Sequence, residues 1–345
     1  MRVGILTSGG DCPGLNAVIR GSARLLLDEG HEPVGLLRGF RGLGDPTLRV
    51  PLPKERLAGI LQLGGTILQS SGYDPYHVPG GMEQVWAAQE ADPLDAVIAI
   101  GGEHTQWIAR RLSADGLPVV GVPKTIDNDV VGTDRTFGVD TAVQVATDAI
   151  DRLRTTAQSH DRVMVVEVMG RHSGWIAALA GLAGGADCIL VPEVERTVDE
   201  VAAMVSARHH SGKTFSIVVV AEGAKLAFKP GEQQLVLATD QLDENGFVRL
   251  GGIGALLGPE LERLTGFETR VTVLGHVQRG GTPVASDRIL ATRYGLHAAE
   301  LVLEGRTGRM VALQGTAIGS VPLSETEGAR ELDLVVLEAA QRFFR

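Results

Sequence analysis

Short apolar runs alternate along this chain with stretches of helical periodicity. Val3–Leu6, Ala96–Ile100, Pro118–Val122, Val163–Val168, Cys188–Val191, Ser216–Ala221 and Val271–Leu274 are compact and almost wholly apolar. Such runs suit strands buried on both faces. Between them, Leu15–Asp28, Val139–Ser159 and Val198–Arg208 read as amphipathic helices, and Glu327–Phe344 reads as a closing helix. Strand, loop, helix, strand is the order that builds parallel sheets. The pattern predicts an α/β protein with two doubly wound, mainly parallel-sheet domains. The first takes residues 1–138 plus about 306–345, and the second takes 139–305. Residues 224–249 are mixed and polar, and read as an excursion from the second sheet.

Composition narrows the functional classes. The chain has 345 residues, 44% hydrophobic and only 4% aromatic, with a formal net charge of −10. That charge argues against broad binding to nucleic acid or to anionic membranes. An anionic substrate needs a local basic pocket inside an acidic shell. The two cysteines, Cys12 and Cys188, lie too far apart in sequence to suggest a disulfide framework, so a reducing, cytoplasmic setting is expected. The opening MRVGILTSGGD reads as a strand and turn rather than a signal peptide. No apolar run reaches the ~18 residues of a membrane span.

Three loops at predicted strand ends carry candidate chemistry. LTSGGDCPG (6–14) follows a strand and opens a helix, where backbone N–H groups favour phosphate; it lacks the spacing of a P-loop or a dinucleotide fold. AIGGEHT (99–105) sets Glu103 beside two glycines. A carboxylate there repels phosphate unless a cation such as Mg²⁺ bridges them; the plain alternative is a helix-start acid favoured by the dipole. PKTIDND (123–129) packs Lys124, Thr125, Asp127 and Asp129 into one turn. One carboxylate can accept a proton from a substrate hydroxyl while the other helps hold a metal, or both can simply cap the turn. A cationic set joins them: Arg162, Arg171, His172, Arg270, His276 and Arg279, with Glu222 at another strand end. Together they suit a sugar phosphate.

The set GILTSGGDCPGLNAVIRG, GGEHT, PKTIDND, AIDRLR, VEVMGR and VLGHVQRGG, in this order, resembles the 6-phosphofructokinase family from residue 3 to about residue 300. The resemblance implies a phosphofructokinase-like fold and Mg²⁺-dependent phosphoryl transfer to the 1-hydroxyl of fructose 6-phosphate, in glycolysis. It implies Asp127 as general base, with Lys124, Thr125 and Arg171 in the catalytic set and Glu103 as metal ligand. Asp129, Arg162, Met169, Gly170, Glu222, Arg270, His276 and Arg279 fall at its sugar-phosphate positions, and Gly10, His104 and Thr105 at its donor positions. In the family Arg162 and Arg270 reach in from a neighbouring subunit, so a homo-oligomer, usually a tetramer, is expected.

The donor side departs from the family pattern. GGTILQSSGYDPY places Gly72 where the family usually has an arginine, and His104 stands where it has glycine or aspartate. Lys124 accompanies pyrophosphate use and some ATP use. An imidazole at 104 can crowd the α-phosphate of a nucleotide or, as a cation or donor, bind a phosphate oxygen, and the lost cations weaken a nucleotide site further. Pyrophosphate is therefore read ahead of ATP as the donor. The other reading is a non-catalytic or regulatory sugar-phosphate-binding paralogue. Arg20, Arg24, Arg154, Asp187 and Lys213 stand where bacterial members place effector contacts, which leaves regulation open.

Overall fold

The structure, a computed structural model, describes residues 1–227, 237–242, 248–250 and 252–342. In chain order the first strands are β1 (Arg2–Thr7), β2 (Glu32–Leu36), β3 (Arg49–Pro51), β4 (Ala96–Gly101), β5 (Val119–Pro123), β6 (Val163–Val168) and β7 (Cys188–Leu190). They are followed by β8 (Arg196–Thr197), β9 (Ser216–Ala221), β10 (Leu226–Ala227), β11 (Leu237–Leu242), β12 (Val248–Leu250), β13 (Thr269–Val273), β14 (Arg309–Gln314) and β15 (Ala317–Pro322). The α-helices are α1 (Leu15–Asp28), α2 (Arg41–Gly44), α3 (Gly81–Ala91), α4 (Glu103–Ala114), α5 (Val139–His160), α6 (Trp175–Ala183), α7 (Val198–His210), α8 (Ile253–Thr265), α9 (Ala285–Leu303) and α10 (Leu334–Gln341).

Two compact units result. One comprises Met1–Thr141 with Arg279–Ala329, the other Ala142–Gln278 with Arg330–Arg345. The first holds a seven-stranded sheet in the order β15-β14-β5-β4-β1-β2-β3. Its interior pairs are parallel, and the edge pairs β2–β3 and β14–β15 are antiparallel. Val97, Ile98, Ala99 and Ile100 in β4 are fully buried, as expected of a central strand covered on both faces. The second unit has an all-parallel sheet in the order β13-β6-β9-β7. Val163, Val165, Val218 and Val220 pack there against Val201 and Val205 of α7 and Leu257 and Leu261 of α8. One acid interrupts that core: Glu167 in β6 is buried and accepts the Gly252 and Gly254 N–H groups at 2.9 and 2.8 Å, capping α8.

The α/β class with mainly parallel sheets agrees with the hydrophobic pattern, and α1, β6 and β9 begin and end where that pattern places them. The division of the chain differs at two places. Residues 279–305, expected in the second domain, pack in the first because α9 lies along α1. A side-chain carbon on Gly295 would come within 2.4 Å of the Val18 carbonyl oxygen. The C-terminal segment, expected to return to the first domain, docks in the second. There Arg330 lies 4.7 Å over the Trp175 ring and the Leu332 N–H donates to Glu193 at 3.1 Å. The closing helix spans only Leu334–Gln341, because Asp333 caps it by accepting the Val335 N–H. Most of the expected excursion at 224–249, and the end of the expected closing helix at Phe344, lie outside the described residues.

Candidate active site

In the first unit, β1, β4 and β5 are adjacent and parallel, so their C-terminal ends open on one edge. Backbone bonds tie the three exits together: the Ser8 N–H donates to the Ile100 carbonyl at 2.9 Å, and the Lys124 N–H to the Gly101 carbonyl at 3.0 Å. The exit of β1 carries Gly9, in the left-handed region at φ 75°, and Gly10. A side chain on Gly10 would meet the Arg279 guanidinium at 2.8 Å. Arg279 therefore lies against the glycine loop of the first unit.

The exit of β5 carries the acidic turn. Lys124 is only 4% exposed, and its Nζ donates to the Gly10 carbonyl oxygen. Burial pulls its pKa below the ordinary lysine value. The Thr125 hydroxyl accepts the Asp127 N–H at 3.0 Å, so the turn is an ST turn. Asn128, at φ 53°, is buried and accepts the Thr136 N–H at 2.9 Å, while the Thr136 hydroxyl donates to the Thr125 carbonyl at 2.8 Å. Asp127 and Asp129 thus flank a pinned, left-handed residue, and both are half-buried. Asparagine tolerates that conformation better than most residues.

The exit of β4 carries Glu103, exposed in the first turn of α4. Thr105 is buried with its side chain against Gly101, where any added carbon would lie 2.1 Å from its hydroxyl. It positions the turn. His104 is held from two sides. Its Nε2 lies 3.0 Å from Asp74 Oδ2, and its ring lies parallel to Trp107 at 10° with centroids 5.5 Å apart. His77 Nδ1 reaches the same Asp74 oxygen at 2.5 Å. Asp74, His77 and Trp107 escaped sequence reasoning. Their only signals were the spacing D-x-x-H in DPYH and the spacing H-x-x-W in HTQW.

The second unit presents its own set at the C-terminal ends of β6, β9 and β13. Val168 pairs with Ala221, and Val273 with Glu167, so Met169–Gly170–Arg171, Glu222 and His276 issue from one edge. The Glu222 N–H donates to the Val168 carbonyl at 2.9 Å and the Gly223 N–H to the Gly170 carbonyl at 3.0 Å. Gly170 sits at φ 136°, which favours glycine, and a side chain there would strike the Ser173 carbonyl at 2.6 Å. Met169 is buried, Arg171 and Glu222 are half-buried, and His276 is exposed.

Arg162 and Arg270 do not join this group. Arg162 immediately precedes β6 and Arg270 is the second residue of β13, so both lie at the N-terminal edge of the sheet. Six or seven residues of strand separate the two edges, about 20 Å. Both arginines pair with Glu268, Arg162 at 2.8 Å. That pairing, with the Arg162 bond first among its causes, holds the Glu268 carboxyl below its ordinary pKa. Of the residues considered for effector contacts, Asp187 pairs with Arg208 at 2.7 Å, and Arg154 donates to the Gly184 carbonyl at 2.7 Å.

The family model for phosphofructokinase matches residues 2–302 of the chain. A pyrophosphate–fructose 6-phosphate 1-phosphotransferase of Amycolatopsis methanolica is 55% identical over 329 residues, covering 94% of each chain. An ATP-dependent 6-phosphofructokinase of Streptomyces coelicolor is 52% identical over 326 residues, again covering 94% of each. Among solved structures, the phosphofructokinase of Pichia pastoris in the T-state superposes with a TM-score of 0.79 at 31% identity, over 94% of this chain and 35% of that one.

Proposed function

Because this chain belongs to the phosphofructokinase family, we propose that it transfers a phosphoryl group from pyrophosphate to the 1-hydroxyl of fructose 6-phosphate, giving fructose 1,6-bisphosphate. The observation that carries this reading is the acidic turn at the exit of β5. Thr125 fixes Asp127 there, and Lys124 joins the turn to the Gly9–Gly10 loop. Asp127 takes the proton from the sugar hydroxyl as the new P–O bond forms. Arg171 stabilises the charge on the transferring group. Gly10, Thr105, which shapes the neighbouring turn, and Lys124 form the donor side. Arg279 lies against Gly10 and serves that side as well.

Enzymes of this family generally use Mg²⁺. The donor set fits it: Glu103 and the pair Asp127 and Asp129 leave adjacent parallel strands as oxygen ligands with no thiolate among them. Glu103 is the proposed ligand. When bound, Mg²⁺ neutralises charge on the donor phosphates.

Sugar-phosphate recognition falls to the second unit, where Met169, Gly170, Glu222 and His276 share one edge. Arg162 and Arg270, on the far edge, serve the site of a neighbouring copy. Their distance from Gly170 supports this, and it makes the active form an oligomer, read here as a homotetramer.

Two features favour pyrophosphate over ATP. The Lys124 ammonium is set at the glycine loop, where a compact dianion profits from it. The His104 ring is held by Asp74 and Trp107, and swinging it aside for the α-phosphate of a nucleotide breaks both contacts. The test is a product assay with fructose 6-phosphate, Mg²⁺ and either donor, repeated on His104→Gly. Pyrophosphate turnover that falls in the variant while ATP turnover rises supports the steric account. ATP turnover in the parent that is lost in the variant assigns the imidazole to a nucleotide and overturns it. No fructose 1,6-bisphosphate from either donor favours the non-catalytic paralogue.

A further inference from the structure

The loop after residue 70, whose Asp74 holds the donor-side His104, also carries His77, a second imidazole that phosphoryl transfer does not use. Asp74, Pro75, Tyr76 and His77 form a turn in which the Asp74 carbonyl accepts the His77 N–H at 3.2 Å and Asp74 Oδ1 accepts the Tyr76 N–H at 2.8 Å. The second bond locks the carboxylate and leaves Oδ2 turned to the imidazoles. His77 Nδ1 comes back on it at 2.5 Å, and His104 Nε2, from the first turn of α4, approaches it at 3.0 Å. All three ligand atoms lie within 4.8 Å of one another. Trp107 backs both rings, at 10° to His104 and 17° to His77.

We propose that Asp74, His77 and His104 form a binding site for one divalent metal ion of the zinc class. Two imidazole nitrogens and a carboxylate oxygen are the ligand set such ions prefer, and three protein ligands leave a position for water. Around a tetrahedral ion with bonds of about 2.0–2.1 Å the ligand atoms stand about 3.3 Å apart. The Asp74 oxygen needs to withdraw by less than an ångström from each nitrogen, the two ring nitrogens, within 4.8 Å of each other, need to close to the same spacing, and the ion replaces the hydrogen-bond protons the oxygen shares with the rings. The carboxylate is oriented by a backbone N–H, as metal-bound carboxylates commonly are. The His77 side chain is 72% exposed, which gives an ion its way in. Mixed nitrogen and oxygen ligands distinguish this ion from Mg²⁺, which takes oxygen. Bound there, it clasps the 70–80 loop to α4. Metal binding is read directly and does not depend on which phosphoryl donor is used.

The test uses the full chain, stripped with a chelator, without any phosphorylated ligand. It is titrated with Zn²⁺ by calorimetry and with Co²⁺ by visible absorption. The expected result is one Zn²⁺ per chain and a tetrahedral Co²⁺ spectrum that Zn²⁺ abolishes. His77→Ala and Asp74→Asn should each lower affinity by at least the ~10–100-fold that losing a mere supporting group costs. His210→Ala, at the end of α7 and outside the cluster, should leave it unchanged. His77 is a surface residue, so its truncation spares the core; circular dichroism checks this, and His77→Gln replaces the alanine variant if it fails. No stoichiometric uptake, or an affinity shared by the parent and the His77 and Asp74 variants, would overturn the site and leave only a hydrogen-bonded clasp.

Discussion

At Lys124 an ammonium with 4% exposure donates to the Gly10 carbonyl, among groups that include Arg279 and Asp129. Desolvation is the main cause of its lowered pKa, with repulsion from Arg279 adding to it. The unfolded chain keeps that proton up to about the ordinary value of 10.5. Between the lowered value and 10.5 the unfolded state binds more protons, so stability rises with pH across that window. Lys124→Met removes this dependence. The variant should melt at or above the parent's temperature near neutral pH, and the parent should gain on it as the solution is made alkaline. Its kcat/KM with pyrophosphate should fall ~10–100-fold, the loss of one charge-assisted contact. A stability gap that widens in the variant's favour at alkaline pH would refute the burial account. At this scale the sequence singled out candidate residues for the chemistry but not how they are held. His104 stood out as unusual, yet its partners Asp74 and His77 lie 30 and 27 positions away, and only the fold brings them to it.

Helix α5 begins at a buried acid. Asp287 accepts the Gly138 N–H at 2.9 Å, the Thr141 N–H at 2.8 Å and the Thr141 hydroxyl at 2.6 Å. Asp287→Ala leaves these donors buried and unsatisfied, and should cost about 2–4 kcal/mol in urea denaturation. Asp287→Asn keeps one acceptor and should cost about half as much. Equal stability of all three chains would mean water replaces the cap. Elements were legible where punctuation was strong. α1 follows the glycine loop with a clean apolar stripe, and β6 and β9 are unbroken apolar runs on which Val165 and Val218 are fully buried. The β14–β15 hairpin was not legible, because its second strand is half-buried and turns through Gly315 at φ 60°. The docking of α10 was not legible either. It rests on contacts such as Arg330 over Trp175, which no local pattern announces.

At the scale of the molecule, the chain places a proposed base and donor loop in one compact unit and a proposed sugar-phosphate edge in the other. Arg162 and Arg270 stand apart on the opposite edge of the second sheet, bridged by Glu268. If they serve a neighbouring copy, chains carrying Asp127→Ser and chains carrying Arg162→Ala, each nearly inactive alone, should regain activity when denatured together and refolded as mixed oligomers. Mixtures as inactive as their parents would place Arg162 outside catalysis in trans. Among the described residues no helix is long and apolar enough to cross a membrane. The acidic composition and the local cations agree with an anionic small-molecule substrate. The most direct measurement of the central claim is the turnover of Asp127→Ser beside its affinity for fructose 6-phosphate. In this variant kcat should fall by at least ~10²–10⁴-fold while binding of the sugar phosphate stays nearly intact. Turnover equal to that of the parent would contradict that claim.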